Sequence, residues 1–196
     1  KVILESFPEA ERLEAVKMTD NYDANALRRA ATTPESLKVI LESLPEADRL
    51  EAVKMTDIDD FNALRRAATH PESLQVILES LPQAERLKAV KIKDICGCTV
   101  LHYAATTPES LKVILESLPE ADRLEALKIT DKDGRTLLHY AACSENPLVL
   151  QAIVDNLKIS EEVIIDLIKE EKDKENILTS IIRKQHLNLN DDLTVE

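Results

Sequence analysis

Glycine is nearly absent from this chain: 196 residues hold only two, and there is no tryptophan. Two glycines are too few for a phosphate-cradling loop or a turn-rich β-sandwich or barrel, which need positive φ at many turns. Collagen-like sequence and flexible Gly/Ser linkers are excluded for the same reason. Cysteine is sparse and odd in number, at Cys96, Cys98 and Cys143. That pattern reads as reduced thiols and points to a cytosolic working compartment. No apolar run approaches the ~18–20 residues of a membrane span. Basic residues are outnumbered, 25 Lys plus Arg against 37 Asp plus Glu, for a net charge of −12. A surface of that sign disfavours binding to nucleic acid or to anionic membrane.

What is abundant is hydrophobic, mostly aliphatic, and charged sequence, the hydrophobic residues making 44% and the charged ones 32%. The aliphatic share excludes a disordered chain and leaves a helical one. Proline punctuates it regularly. Pro8, Pro45, Pro82 and Pro119 are 37 apart, as are Pro34, Pro71 and Pro108, and Asp20, Asp57, Asp94 and Asp131. A fixed period of this size predicts a stacked repeat protein. The units opening at Pro34, Pro71 and Pro108 are nearly identical over PESLKVILESLPEADRLEAVKMTD, which marks recent duplication.

Each unit parses into three helices. Thr33 is a candidate hydroxyl cap, Pro34 suits the first helical position, and Glu35 complements the positive helix end. Leu37, Ile40, Leu41 and Leu44 make one apolar stripe. Pro45 ends that helix and starts another, with Glu46 and Asp48 in its first turn and Ala47, Leu50, Val53 and Met55 on its expected buried face. After the polar connection opened by Asp57, Asn62-Ala63-Leu64 begins a short helix. Its Ala67 and Ala68 should let neighbouring units approach closely.

The last two connections, Asp94-Ile-Cys-Gly97-Cys-Thr99-Val-Leu101-His102-Tyr-Ala104-Ala105 and Asp131-Lys-Asp-Gly134-Arg-Thr136-Leu-Leu138-His139-Tyr-Ala141-Ala142, resemble the opening of the ankyrin repeat, D-x-x-G-x-T-x-L-H-x-A-A. The resemblance implies a turn glycine at a hairpin tip, structural hydrogen bonds from Thr and His, and Leu and Ala packing the first helix. In the earlier connections Asp23 and Asp60 replace the glycine, and aspartate tolerates the left-handed region better than most residues. Asn25 and Asn62 replace Thr as candidate helix caps. Arg28 and Arg65 replace His. The 37-residue unit exceeds the ~33 residues typical of the family. Thr-Pro-Glu stands where the family turns with Gly-His, and a second Pro-opened helix replaces the glycine-ended one. An armadillo- or HEAT-type α-solenoid is the alternative.

The expected fold class is thus an all-α ankyrin-like solenoid with a C-terminal helical cap. Residues 1–146 read as the array, with a partial first repeat and about three and a half units. The opening Lys1-Val-Ile-Leu-Glu-Ser reappears whole at 38–43, so the chain is expected to begin inside a helix of a longer protein. Residues 147–186 read as a degenerate capping repeat, with Ile181 and Ile182 blocking further stacking where alanines stood. Residues 187–196 read as a frayed acidic tail.

No chemistry stands out. Cys96 and Cys98 lack the paired spacing of a zinc site, and Cys143 with His139 lacks an orienting third group. No catalytic, cofactor-binding or metal-ligating residue is assigned, and the chain is not expected to be an enzyme. What varies between otherwise duplicated units lies in the connections and first helices. The family resemblance places these on a concave binding face. Arg29, Arg66, Tyr103 and Tyr140 should form a stripe there, with Tyr22, Phe61 and Arg135 at or beside the tips; Arg and aromatic residues are preferred interface anchors. The tyrosines could instead pack between units, and the arginines could pair with neighbouring acids.

The expected function is a non-catalytic scaffold, acting as a monomer, that binds a protein partner and no nucleic acid. The alternative is a substrate-recruiting arm of a larger enzyme or effector. Glycine-poor, Lys/Glu/Ile-rich arrays of this style resemble modules of secreted effectors of intracellular bacteria. That resemblance implies a host protein as partner and the host cytosol as the place of action.

Overall fold

The computed structural model describes residue 4, residues 6–144, residue 146 and residues 148–157. Among the described residues twelve helices follow one another in a repeating triplet. They are α1 (Glu9–Lys17), α2 (Ala26–Ala30), α3 (Pro34–Ser43), α4 (Glu46–Lys54), α5 (Ala63–Arg66), α6 (Pro71–Glu79), α7 (Gln83–Val90), α8 (Val100–Ala104), α9 (Pro108–Ser117), α10 (Glu120–Leu127), α11 (Leu137–Cys143) and α12 (Leu148–Leu157). Like stacks on like. The short helices α2, α5, α8 and α11 form one row, the apolar helices α3, α6, α9 and α12 the central row, and α1, α4, α7 and α10 the third. Among the described residues there is no strand, only a bridge between Thr19 and Asn25. No helix among them is long and apolar enough to cross a membrane. This is an all-α repeat solenoid. Of the expected capping segment at 147–186, the part up to Leu157 is described except Pro147. The remainder, with Ile181 and Ile182, and the tail at 187–196 lie outside the described residues.

The central row supplies the core. Leu37, Leu41, Leu74, Ile77, Leu78, Leu111, Ile114 and Leu115 are all buried, at the helical spacing the sequence shows. From the short row come Leu27, Leu64 and Leu101, and Ala67, Ala68, Ala104 and Ala105 are buried beside them, so small side chains do let the units close together. In the third row, burial falls on Leu50, Ala52 and Val53. Ala47 is exposed in the acidic first turn, contrary to expectation, because only the later part of α4 packs against its neighbours.

Proline sets both corners of each unit. Pro34 occupies the first position of α3, where no N–H is needed. The expected hydroxyl cap fails: the Thr33 side chain makes no cap bond, and its carbonyl instead accepts the Leu37 N–H at 3.1 Å. Pro45, at φ −51° and ψ 143°, is extended and launches α4 from Glu46.

An arginine ladder that sequence reading did not single out ties the units together. Arg49 donates through Nε to the Leu44 carbonyl (3.3 Å) and through Nη1 to the Ser80 carbonyl of the next unit (3.1 Å). Arg12, Arg86 and Arg123 repeat this, Arg12 to Phe7 and Ser43, Arg86 to Leu81 and Ser117, Arg123 to Leu118 and Asn156. The acceptors are carbonyls at or beside the C-terminal ends of central-row helices, which lack helical donors and favour a cation.

Candidate functional site

The connections between third-row and short helices are tight hairpins, each organised by its leading aspartate. Oδ1 of Asp57 accepts the N–H groups of Asp59 (3.0 Å) and Phe61 (2.8 Å). Asp20, Asp94 and Asp131 do the same for the residues two and four places on. Each hairpin then needs one left-handed residue. Asp23 (φ 53°), Asp60 (φ 58°), Gly97 (φ 77°) and Gly134 (φ 79°) supply it, so aspartate does stand in for the turn glycine. The first-helix caps also follow the sequence. Asn25 and Asn62 accept the N–H groups of Arg28 and Arg65, each at 2.8 Å, where Thr99 and Thr136 form capping boxes with His102 and His139.

With Oδ1 committed, Oδ2 of each aspartate is left to bind side chains, and two positions of the short helices can reach it. The first is the one the resemblance gives to histidine. His102 accepts the Thr99 N–H at Nδ1 (3.0 Å), so Nε2 carries the proton and donates to the Arg135 carbonyl of the next hairpin (3.2 Å). Burial pushes the His102 pKa down, in keeping with the neutral ring. Arg28 and Arg65 reach to the same next hairpin but take its carboxylate: Arg28 pairs with Asp57 Oδ2 and Arg65 with Asp94 Oδ2. The Arg65 guanidinium lies between the Phe61 ring (3.0 Å to the centroid) and the Tyr103 ring (4.1 Å).

The second position is the expected stripe. Arg29 turns back to Asp20 of its own hairpin, with Nε 2.7 Å from Oδ2. Tyr103 donates to Asp94 Oδ2 and Tyr140 to Asp131 Oδ2, the latter at 2.8 Å. Burial first, then the neighbouring carboxylate, pushes the Tyr103 hydroxyl up to about 12. Tyr140 also lies edge-on to His102, with its hydroxyl 3.3 Å from Cys98 Sγ. Both tyrosines are half-buried and braced between units, while Arg29 and Arg66 are exposed.

Of the residues expected beside the tips, Tyr22 stands out at 72% exposure with Arg29 over its ring (5.7 Å), and Arg135 is exposed while bridging Asp131 and Asp133. Phe61 is half-buried beneath Arg65. Sequence reading passed over Ile58 and Ile95, which are exposed on two hairpins at 73% and 51%. Their signal was an apolar residue at a variable connection position, where the first unit has Asn21 and the fourth Lys132.

Among the described residues no group of three or more His, Cys, Asp or Glu is placed to hold a metal ion. Cys96 and Cys143 are exposed free thiols, and Cys98 is buried, which pushes its pKa up. The hairpins and short helices therefore carry most of the side chains that differ between units, on a backbone that repeats from unit to unit. The sequence profile of the family described as ankyrin repeats, three copies, matches residues 64–165. No curated protein matches the chain.

Proposed function

The chain belongs to the ankyrin-repeat family, whose arrays are protein-interaction modules, and we propose that this one is a non-catalytic scaffold binding a partner protein through its hairpins and short-helix row. One observation carries the reading. Repeated aspartate and arginine anchors build this face, and its outward residues, Tyr22, Arg29, Ile58, Arg66, Ile95 and Arg135, stand at repeat positions that do not carry the same residue in all four units. Solenoids offer such extended surfaces to partners. Tyr103, Tyr140 and Phe61 contribute by bracing the cations and by their exposed edges.

The free thiols support a reducing compartment, and the glycine-poor, Lys/Glu-rich style supports an effector acting in a host cytosol, as a monomer with a host protein as partner. The capping role of 147–186 belongs to the same proposal. Affinity purification from host-cell lysate tests the reading in three arms: the parent chain, a face variant (Tyr22→Ala, Arg66→Ala, Ile95→Ser) and a third-row control (Glu51→Ala, Glu125→Ala). A partner retained by the parent and the control but lost by the face variant is expected. Loss with the control alone would move the binding surface to the third row.

A further inference from the structure

Every arginine among the described residues has a polar partner except Arg66. Arg12, Arg49, Arg86 and Arg123 cap helix carbonyls. Arg28, Arg29, Arg65 and Arg135 pair with hairpin aspartates. Arg66 is exposed on α5, with no side-chain hydrogen bond, ion pair or ring contact. The carboxylates nearest to it in the register have other partners. Arg66 occupies the position from which Arg29, Tyr103 and Tyr140 reach back to the aspartate of their own hairpin. Its own aspartate is Asp57, and Asp57 Oδ2 is already held by Arg28 from the preceding unit. Asp94 Oδ2, in the following hairpin, is held by Arg65 and Tyr103. The exposed Asp59 and Asp60 of the same hairpin do not pair with Arg66 either.

We propose that Arg66 is the anchor for a carboxylate of the partner: the face takes an acidic protein segment whose Asp or Glu closes on Arg66 while an adjoining apolar side chain packs on the exposed Ile58 or Ile95. This rests on the reading of the face as the partner-binding surface. The chemistry follows from what is left over. A guanidinium presents a planar fork of donors that matches a carboxylate in two parallel bonds. On this face the leading aspartates of the hairpins are already paired with arginines, which leaves the donors of the Arg66 guanidinium open to a carboxylate from outside the chain. Exposed isoleucines on the hairpins, Ile58 and Ile95, suit a protein segment, and a single free arginine in a chain of net charge −12 does not suit a phosphate backbone.

The test is selection of random displayed peptides on the immobilised full chain, with an Arg66→Gln chain in parallel. Since Arg66 touches nothing polar, the variant should keep the parent's melting temperature. The expected result is a consensus containing Asp or Glu beside an apolar residue. A synthetic peptide of that consensus should bind Arg66→Gln about tenfold more weakly, which is 1.4 kcal/mol. Changing its acid to the amide should cost the same on the parent and nothing further on the variant. A consensus without an acid, an acidic peptide that binds both chains equally, or no enrichment over blank support overturns the assignment. If binding ignores Arg66 but is lost with Tyr22→Ala and Ile95→Ser, the face stands and the anchor falls; if it ignores both, both fall. Displacement of the peptide by a single-stranded oligonucleotide at about 0.15 M salt would make the occupant a nucleic acid and likewise overturn it.

Discussion

The guanidinium of Arg28 crosses from one unit to the next and closes on Asp57, whose other oxygen accepts the N–H groups of Asp59 and Phe61. One carboxylate thus organises a hairpin and docks that hairpin on its neighbour. The Asp57 side chain is buried and that of Arg28 nearly so, at 1% and 17% exposure.

Removing one partner of this pair should therefore hurt more than removing a surface ion pair. Asp57→Ala is expected to destabilise the chain by about 3–5 kcal/mol, because it strands a buried guanidinium and loosens the turn. Arg28→Ala should cost less, since the hairpin keeps its own bonds. Urea unfolding of the two single variants and the double variant measures the coupling. Additive losses would show that the pair does not act as a unit.

The ladder arginines give a second expectation. Arg86→Met should cost about 1.5–3 kcal/mol, the range for hydrogen bonds to a charged group. Arg86→Lys should recover little, because an ammonium cannot span the Leu81 and Ser117 carbonyls as the guanidinium fork does. Full rescue by lysine would mean that charge at the helix end matters and geometry does not.

The two turn glycines should respond differently to alanine. Both need positive φ, which costs an L-residue roughly 1–2 kcal/mol. Gly134 faces open space, whereas a Cβ on Gly97 would sit 2.8 Å from the Lys132 backbone nitrogen. That nitrogen donates to the Cys96 carbonyl at 3.0 Å, so the clash also disturbs the contact between hairpins. Gly97→Ala should lower the melting temperature further than Gly134→Ala. Conversely, Asp60→Gly should stabilise by up to ~1 kcal/mol. Equal shifts for the two alanine variants would contradict the close approach.

Acid should weaken the stack in two steps. For Asp131, burial favours the neutral acid. The Arg135 N–H, the Tyr140 hydroxyl, the Arg135 guanidinium and the Asp133 N–H outweigh it and hold the carboxyl at about 2. An unfolded aspartate titrates near ~3.9. The folded value is the lower one, so this contribution is complete above ~4 and fades as pH falls towards 2. Burial lowers the His102 pKa below its unfolded value of ~6.5, so that contribution is present above ~6.5 and fades as pH falls below it. Denaturant midpoints from pH 8 to 2.5 should show both declines. Asp131→Asn should start lower at pH 7 and flatten the acid step; an unchanged acid step would assign it to other carboxylates.

A charge reversal in the third row offers the mildest test. Lys17 pairs with Glu51 and Lys91 with Glu125, one unit apart. The same register sets Lys54 opposite Lys88, where the duplication put lysine in place of glutamate. Lys88→Glu should raise stability by a few tenths of a kcal/mol up to about 1 at low salt, with the gain shrinking in 1 M salt. No gain at low salt would show that these pairs do not couple.

The sequence by itself determined the period, the three helices of each unit, the proline corners, the asparagine caps and the left-handed aspartates at Asp23 and Asp60. These are local properties: backbone angle, cap chemistry and apolar spacing act within a few residues, and duplication wrote them several times over. It also picked out which positions vary. Only the tertiary structure decided what those positions do. Arg28, Arg29, Arg65 and Arg66 are two copies of one dipeptide, yet three of them are partnered and one is free. Arg28 and Arg65 reach the aspartate of the next hairpin and Arg29 that of its own, whereas Asp57 Oδ2 takes Arg28 and leaves Arg66 unpaired. Periodicity aligns those side chains in a row, but which of them meets a carboxylate depends on how the units stack.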